Sequence, residues 1–368
     1  MLRALLDQAL LACPACRRVE GGVFRDAAIG LATVHEERAG RVWQGMLACG
    51  GCGSRYPVVD GVPVILKDVA GWLQQQERSL MWRDDLAPAL DGWLRAAWKD
   101  HQDPNWKREL LATYARDLAP PQSSDQPFPQ AMADQQQATR DHLRGRQRQL
   151  LAAAGEDPLV LDLGAGVGAQ ALAMAGMGGR VVALEREFGP LRLLSELLLE
   201  GRATAPRWRH GGNDFVPSEI RLPQDVNPHH VLPMAADATD PPFRGGRAPL
   251  VTAYNLLDNV GDPLLLLRQA HALLAPGGAL VLASPYDWTD RCTPLALRPG
   301  ASIRVDAAGE PDPAQALRDL LTGRLPALVP GVSLTIEAET AALPWLLQRH
   351  DRSWHLFLSH YLEARRPL

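Results

Sequence analysis

Four of the five cysteines in this 368-residue chain fall in two C-x-x-C pairs, Cys13-Pro14-Ala15-Cys16 and Cys49-Gly50-Gly51-Cys52. Thiolates are soft ligands, and four of them complete the tetrahedral shell of a structural Zn²⁺ with no open position. Glycines at 50, 51 and 53 permit the tight turn that aims backbone amides at the sulfurs. Cys13, Cys16, Cys49 and Cys52 are therefore the expected ligands of a zinc ion that staples the fold and does no chemistry on a substrate. A redox dithiol would stand where a strand meets a helix, and neither pair does. Cys292 lies alone far downstream and reads as a buried or partly buried thiol.

A second constellation is Asp162-Leu163-Gly164-Ala165-Gly166-Val167-Gly168-Ala169, where a strand hands over to a helix. Gly164, Gly166 and Gly168 let the backbone approach a nucleotide cofactor closely. Read as G-x-G-x-x-A the run fits a dinucleotide fingerprint; read as G-x-G-x-G behind Asp162 it fits a loop for S-adenosylmethionine (SAM). Glu185, at the end of the next predicted strand, is placed to accept both ribose hydroxyls of either cofactor. In open α/β sheets the reacting centre faces the carboxyl ends of the strands. Here those ends are Tyr254-Asn255-Leu256-Leu257-Asp258-Asn259 and Ser284-Pro285-Tyr286-Asp287-Trp288.

These residues need a scaffold, and the chain pattern supplies one. From Leu159 strands and helices alternate, the signature of a parallel sheet covered on both faces. The predicted strands are Leu159–Leu163, Arg180–Glu185, Val231–Asp237, Pro249–Asn255 and Ala279–Pro285, with helices over Ala169–Met177, Pro190–Glu200 and Asp262–Leu274. Val332–Glu339 and Ser353–Glu363 add two more strands, separated by Leu343-Pro344-Trp345-Leu346-Leu347. The fold class is α/β, a doubly wound, seven-stranded, mostly parallel sheet over residues 131–368. Its first helix, Ala131–Ala154, carries Arg140, His142, Arg144, Arg146 and Arg148, which read as a solvated basic face, the alternative being an arginine that meets a substrate carboxylate. Residues 1–68 form a small β-rich unit around the cysteines. Residues 69–130 form a helical connector bearing Trp72, Trp82, Trp93, Trp98 and Trp106, then a Pro-rich loop over Ala119–Gln130. The polar excursion Arg202–His230 is a candidate lid.

Apolar side chains make up 46% of the chain and charged ones 22%, with a formal net charge of −4. This balance argues against global disorder and against a polycationic nucleic-acid coat. Glycines and Pro276-Gly277-Gly278 interrupt the longest uncharged stretches, so neither reads as a membrane span. No charged segment followed by an apolar core is seen near Met1, and the expected location is cytoplasmic, in a reducing compartment.

The turn Leu274-Ala275-Pro276-Gly277-Gly278-Ala279-Leu280-Val281, the Asp162–Gly168 loop and the closing strand pair together resemble the class I SAM-dependent methyltransferases, over roughly residues 131–368. The resemblance implies SAM as the cofactor. Gly164, Gly166 and Gly168 would lie under its methionine and ribose, and Glu185 would hold the ribose. Asp237 and Ala238 would border the adenine, Asp162 would support the loop or the amino group, and Asn255 would complete the set. Asp237 also fits a helix cap or a turn former. The run from Cys49 to Leu66 resembles the small zinc-ribbon proteins that activate tRNA, rRNA and translation-factor methyltransferases, here fused in cis.

A narrower likeness sits at the strand ends. Asn255-Leu256-Leu257-Asp258, Gly261-Asp262-Pro263, Ser284-Pro285-Tyr286-Asp287-Trp288, Leu343-Pro344-Trp345 and Arg349-His350-Asp351-Arg352 resemble the methyltransferase domain of ovothiol-synthesising enzymes, the mercaptohistidine N-methyltransferases. That implies in-line methyl transfer to a ring nitrogen of a small histidine-derived thiol-imidazole. Asp258 and Tyr286 would orient the imidazole and Asn255 would brace the pocket. The alternative is an rRNA or tRNA methyltransferase that uses the ribbon for RNA or partner contact. The acidic balance, the lack of a Lys/Arg tract and the lack of an Asn/Asp-Pro-Pro-aromatic tetrad after the fourth strand favour the small molecule. A non-enzymatic activating partner is a third reading, which the intact glycine loop and Glu185 disfavour.

Overall fold

The computed structural model describes residues 1–20, 23–76, 85–97, 118, 127–208, 215–300, 312–350 and 353–368. Helix α1 (Leu2–Asp7) leads to a two-stranded ribbon of β1 (Arg18–Glu20) and β2 (Val23–Arg25). Four antiparallel strands follow: β3 (Ile29–Arg38), β4 (Arg41–Cys49), β5 (Arg55–Val59) and β6 (Val62–Pro63), side by side in that order. Two tight hairpins set their limits. Ala39-Gly40 and Asp60-Gly61 all have positive φ, the geometry that lets a two-residue loop follow the twist of its strands.

The chain after β6 does not leave the ribbon freely. Val64 pairs with Ala235, and the Ile65 amide donates to the Ala235 carbonyl at 2.8 Å, so the ribbon continues the edge of the large sheet described next. Helices α2 (Val69–Gln75) and α3 (Pro88–Ala97) follow, with Asp68 Oδ1 capping α2 through the Gly71 amide at 2.8 Å. Trp72 is a packing residue: its indole donates to the Arg186 carbonyl at 2.7 Å and meets Phe188 edge-on. Trp82, Trp98 and Trp106 lie outside the described residues. Pro127–Gln130, expected in a loop, belongs to the helix α4 (Pro127–Ala154). Proline suits a first helical turn because its missing amide would find no partner there. Residues 119–126 lie outside the described residues.

From here the elements are β7 (Leu159–Leu163), α5 (Ala169–Gly176), β8 (Arg180–Glu185), α6 (Phe188–Glu200), β9 (Arg202–Trp208), β10 (Phe215–Arg221), β11 (Val231–Ala235) and β12 (Ala248–Tyr254). They continue with α7 (Pro263–Leu273), β13 (Leu274–Ser284), α8 (Pro313–Leu321), β14 (Thr335–His350) and β15 (Ser353–Arg365). The expected seven-stranded sheet runs β11-β8-β7-β12-β13-β15-β14, and only β15 opposes its neighbours.

Alternation along β7 divides the interior. Leu159, Leu161 and Leu163 join an apolar cluster that also holds Leu47, Tyr56 and Val58 of the ribbon. Val160 joins the opposite cluster, with Leu143 and Leu150 of α4 and Leu172 of α5. The ribbon therefore shares one core with one face of the sheet.

Three local expectations are revised. The candidate lid is a β9–β10 hairpin whose Ala203, Ala205 and Ile220 are buried in the α4-side cluster, with residues 209–214 outside the described ones. The last two apolar stretches before β15 form one continuous edge strand, because register shifts at Ile336/Ala338 and Thr340/Leu343 absorb the irregularity around Pro344. Arg146 is half-buried: it clasps the buried Glu363 through both carboxylate oxygens at 2.8 and 2.6 Å, while Arg144 and Arg148 are exposed as expected.

Candidate active site

The sulfurs of Cys13, Cys16, Cys49 and Cys52 all lie within 4.8 Å of one another. Cys13 Sγ is 3.7 Å from Cys52 Sγ, and Cys16 Sγ is 3.6 Å from Cys49 Sγ. A tetrahedron with Zn–S bonds of about 2.3 Å has edges of about 3.8 Å, so the dimensions fit four-thiolate zinc. The amides of Gly51 and Cys52 donate to Cys49 Sγ at 3.3 and 3.4 Å, the arrangement expected of the glycine knuckle. Mutual crowding pushes the Cys16 thiol up to about 12, chiefly through its hydrogen bond with Cys52. Sulfurs packed this closely ionise together only around a cation. These four residues would hold Zn²⁺, and the ion would supply a closed structural cross-link.

The second site begins where β7 ends. The amides of Gly164 and Ala165 both donate to the Leu184 carbonyl at 2.8 and 2.9 Å, tying the loop to the end of β8. Gly164, Gly166 and Gly168 all have positive φ but serve different ends. A Cβ on Gly164 would meet the Leu256 side chain at 2.6 Å, and one on Gly168 would meet Leu194 at 2.6 Å. One on Gly166 would meet open space. Two of these glycines thus serve packing, and the third faces open space.

Glu185 stands against that opening. Its Oε2 accepts the Gly166 amide at 3.1 Å, and its Oε1 accepts the Arg186 and Glu187 amides at 2.7 and 3.0 Å. Burial pushes its pKa up and these amides pull it down. Asp162 is buried: Oδ1 accepts the Thr252 hydroxyl at 2.6 Å, while Oδ2 has no hydrogen-bond partner among the described residues. Burial above all, with the Glu185 charge adding, pushes the Asp162 carboxyl up to about 7 despite the Thr252 bond. A buried acceptor without a partner costs about 1–3 kcal/mol, and this one suits a cationic amino group. Asp237 closes a turn beyond β11, its Oδ1 taking the Thr239 amide and hydroxyl at 2.8 and 2.6 Å, with Ala238 buried beside it. Because Ala235 pairs with Glu185, Asp237 and Ala238 lie just past the ribose-binding candidate.

The third group occupies the ends of β12 and β13. Asn255 and Tyr286 adopt left-handed φ of 50° and 58°, which for non-glycine residues costs on the order of 1–3 kcal/mol and is held by the surroundings. Asn255 donates its amide to Ala283 O at 2.7 Å, and its Oδ1 accepts the Ser359 hydroxyl at 2.9 Å. Asp258 is 1% exposed: Oδ2 accepts the Asp287 amide at 2.8 Å and Oδ1 the Ser284 hydroxyl at 3.3 Å. It braces the loop that carries Tyr286. Tyr286 stacks with Trp288, and its hydroxyl lies 2.6 Å from His360 Nδ1. His360 Nε2 lies 2.6 Å from Glu339 Oε1, which also takes Arg318 Nε and Nη2 at 2.8 and 2.7 Å.

The family described as "Methyltransferase domain" matches residues 135–360. The chain belongs to this methyltransferase family. Solved structures similar to it include a SAM-dependent methyltransferase from Methanosarcina mazei, at 17% identity and TM-score 0.38, covering 60% of this chain and 97% of that one. Another is the complex containing the Haloferax volcanii Trm112 methyltransferase activator, at 16% identity and TM-score 0.38, covering 71% and 98%. A third is magnesium protoporphyrin IX methyltransferase (ChlM) from Synechocystis PCC 6803 with bound SAM, at 13% identity and TM-score 0.39, covering 73% and 100%. No curated protein matches the chain.

As a member of that family the chain is a methyltransferase, and its strand ends form one continuous rim. Leu256 packs on Gly164, Asn255 binds Ser359, and the next residue, His360, reaches Tyr286. His360, Glu339 and Arg318 escaped sequence reasoning, although polar residues at 339 and 360 in otherwise strand-like stretches were a signal. Such a rim can hold a sulfonium cofactor, orient an acceptor and move a proton. Among the described residues no helix is long and apolar enough to cross a membrane.

Proposed function

We propose that this methyltransferase passes the methyl group of SAM in line to a ring nitrogen of a small histidine-derived thiol-imidazole. In this reading Gly166 and Glu185 hold the ribose, Asp162 Oδ2 receives the amino group, and Asp237 with Ala238 borders the adenine. Gly164 and Gly168 shape the loop, and Asn255 joins cofactor side to acceptor side. Tyr286 orients the acceptor, and Asp258 acts through the loop it braces. Zn²⁺ on Cys13, Cys16, Cys49 and Cys52 keeps the ribbon folded against the sheet.

The observation that carries the reading is the Tyr286 phenol, set on a strained loop beside Trp288 and backed by a buried histidine. A flat aromatic face beside a hydrogen-bonding hydroxyl suits a planar azole. Methyl transfer needs little beyond such positioning and exclusion of water, together worth about 7–11 kcal/mol. The test is transfer from labelled SAM to mercaptohistidine, to histidine peptides and to total RNA in parallel. Label in mercaptohistidine supports the proposal; label in RNA alone overturns it.

A further inference from the structure

Four side chains from four elements form an unbroken line: Tyr286 beyond β13, His360 on β15, Glu339 on β14 and Arg318 on α8. Its polarity follows from charge. Arg318 holds the Glu339 carboxyl below its usual range, mainly through their hydrogen bond. An ionised carboxylate can only accept, so His360 Nε2 carries the ring hydrogen and donates it to Glu339. In the neutral ring His360 Nδ1 is then the lone pair, and the Tyr286 hydroxyl donates into it at 2.6 Å. The phenol oxygen of Tyr286 keeps lone pairs with which it can accept. The inner part of the line is dry, with His360 3% exposed, whereas the side chains of Glu339 and Arg318 are 28% and 31% exposed and reach solvent.

We propose that this line is the proton outlet of methyl transfer, and that the acceptor accordingly bears an N–H or O–H proton that must leave once it is methylated. The proposal rests on the reading above that Tyr286 borders the acceptor. The acceptor lone pair forms the bond to the methyl carbon, and the carbon–sulfur bond breaks with its electron pair going to sulfur, leaving a neutral thioether. The methylated, cationic acceptor gives its proton to the Tyr286 oxygen as the Tyr286 proton passes to His360 Nδ1. The imidazolium that results sits against Glu339. Burial holds the Tyr286 phenol above its usual range, so it passes the proton on without storing charge. Among the described residues the charged groups that act on the Tyr286 phenol are Asp312, Arg318, Glu339 and Asp258, and Glu339 also faces His360. His360 acts through Tyr286 as a positioning and proton-receiving residue.

The experiment has two arms. In the first, ¹⁵N-histidine NMR of the SAM-free enzyme reads the His360 tautomer directly. A hydrogen on Nε2 in the wild type, redistributed toward Nδ1 in Glu339→Gln, is expected; a hydrogen on Nδ1 in the wild type overturns the proposal. In the second, kcat is followed against pH for the wild type, Tyr286→Phe and His360→Gln on whichever of mercaptohistidine, histidine peptide or RNA takes label. Both variants are expected to lose about 100-fold in kcat with SAM affinity within about threefold, and His360→Gln to lose the acid limb of the profile. Tyr286→Phe leaves His360 in place and guards against misfolding of the buried variant. Rates within about threefold of wild type with the acid limb intact overturn the proposal. If none of the three acceptors takes label, the substrate reading is what fails, and the tautomer alone decides the outlet.

Discussion

The sulfur cluster of the ribbon and the strand-end rim of the sheet each gather polar side chains from distant stretches of chain, but by opposite means. Each cysteine pair is a local turn: Cys49, Gly51 and Cys52 arrange one another through amide–sulfur bonds within four residues. At the rim no neighbouring residues suffice. Asn255, Ser284, Tyr286, Glu339 and His360 meet only because β12, β13, β15 and β14 lie in that order and in one register. A closed site stores stability in a few local bonds. An open one leaves acceptors such as Asp162 Oδ2 without a partner among the described residues and holds residues such as Tyr286 in left-handed backbone.

The strongest way to break the contrast is Cys16→Ser. Structural zinc contributes about 10–16 kcal/mol in isolated finger peptides, and here the ribbon shares a core with the sheet. Cys16→Ser is expected to lose zinc by elemental analysis and to lower the melting temperature by at least about 10 °C, whereas His360→Gln shifts it far less. An unchanged melting temperature would remove the cluster as a staple.

Next come the glycines. Gly168→Ala adds a methyl group 2.6 Å from Leu194 on a left-handed backbone, and a loss of about 1–3 kcal/mol in denaturant unfolding is expected. Gly166→Ala carries the same left-handed backbone cost but meets open space, so it should lose less stability than Gly168→Ala and weaken SAM binding by about tenfold or more in calorimetry. Equal stability losses in both would erase the distinction between packing and ligand glycines.

A smaller effect tests the orphan carboxyl. Because burial raises Asp162 to about 7, the folded state binds more protons than the unfolded one between about pH 4 and 7. Stability of the ligand-free enzyme contributed by this group is therefore present at low pH and lost as pH rises through that window. A cationic amino group at Oδ2 favours the ionised form, so SAM affinity should rise, by about tenfold, from pH 5.5 to 7.5. Asp162→Asn should flatten both trends in thermal shift and calorimetry; a SAM affinity independent of pH in the wild type would exclude the contact.

The smallest change expected is in Asp258→Asn, which keeps the shape but weakens the bonds to Ser284 and the Asp287 amide. A several-fold fall in kcat with unchanged SAM affinity is expected. A parallel loss of both would place Asp258 in the cofactor site.

Much of this was legible without coordinates. The cysteine knuckles, the glycine loop behind Asp162, Glu185 at the next strand end and the Tyr286 loop all follow from short-range rules of turn and strand. Pro127 opening a helix, and β14 running through Pro344, were not, since each depends on what the neighbouring backbone does not require of that proline. Nor could the three glycines be told apart, because Leu256 and Leu194, which demand two of them, arrive from other elements.

By itself the sequence determined the ingredients: four cysteines in two knuckles, a glycine-rich strand–loop–helix, an acid at the next strand end and aromatic polar loops at the strand ends. Only the tertiary structure decided which side chains face one another. Ser284 lies opposite His360 because β15 pairs with β13 in that register, and a slip of one residue would turn His360 to the other face of the sheet and leave Tyr286 without its partner.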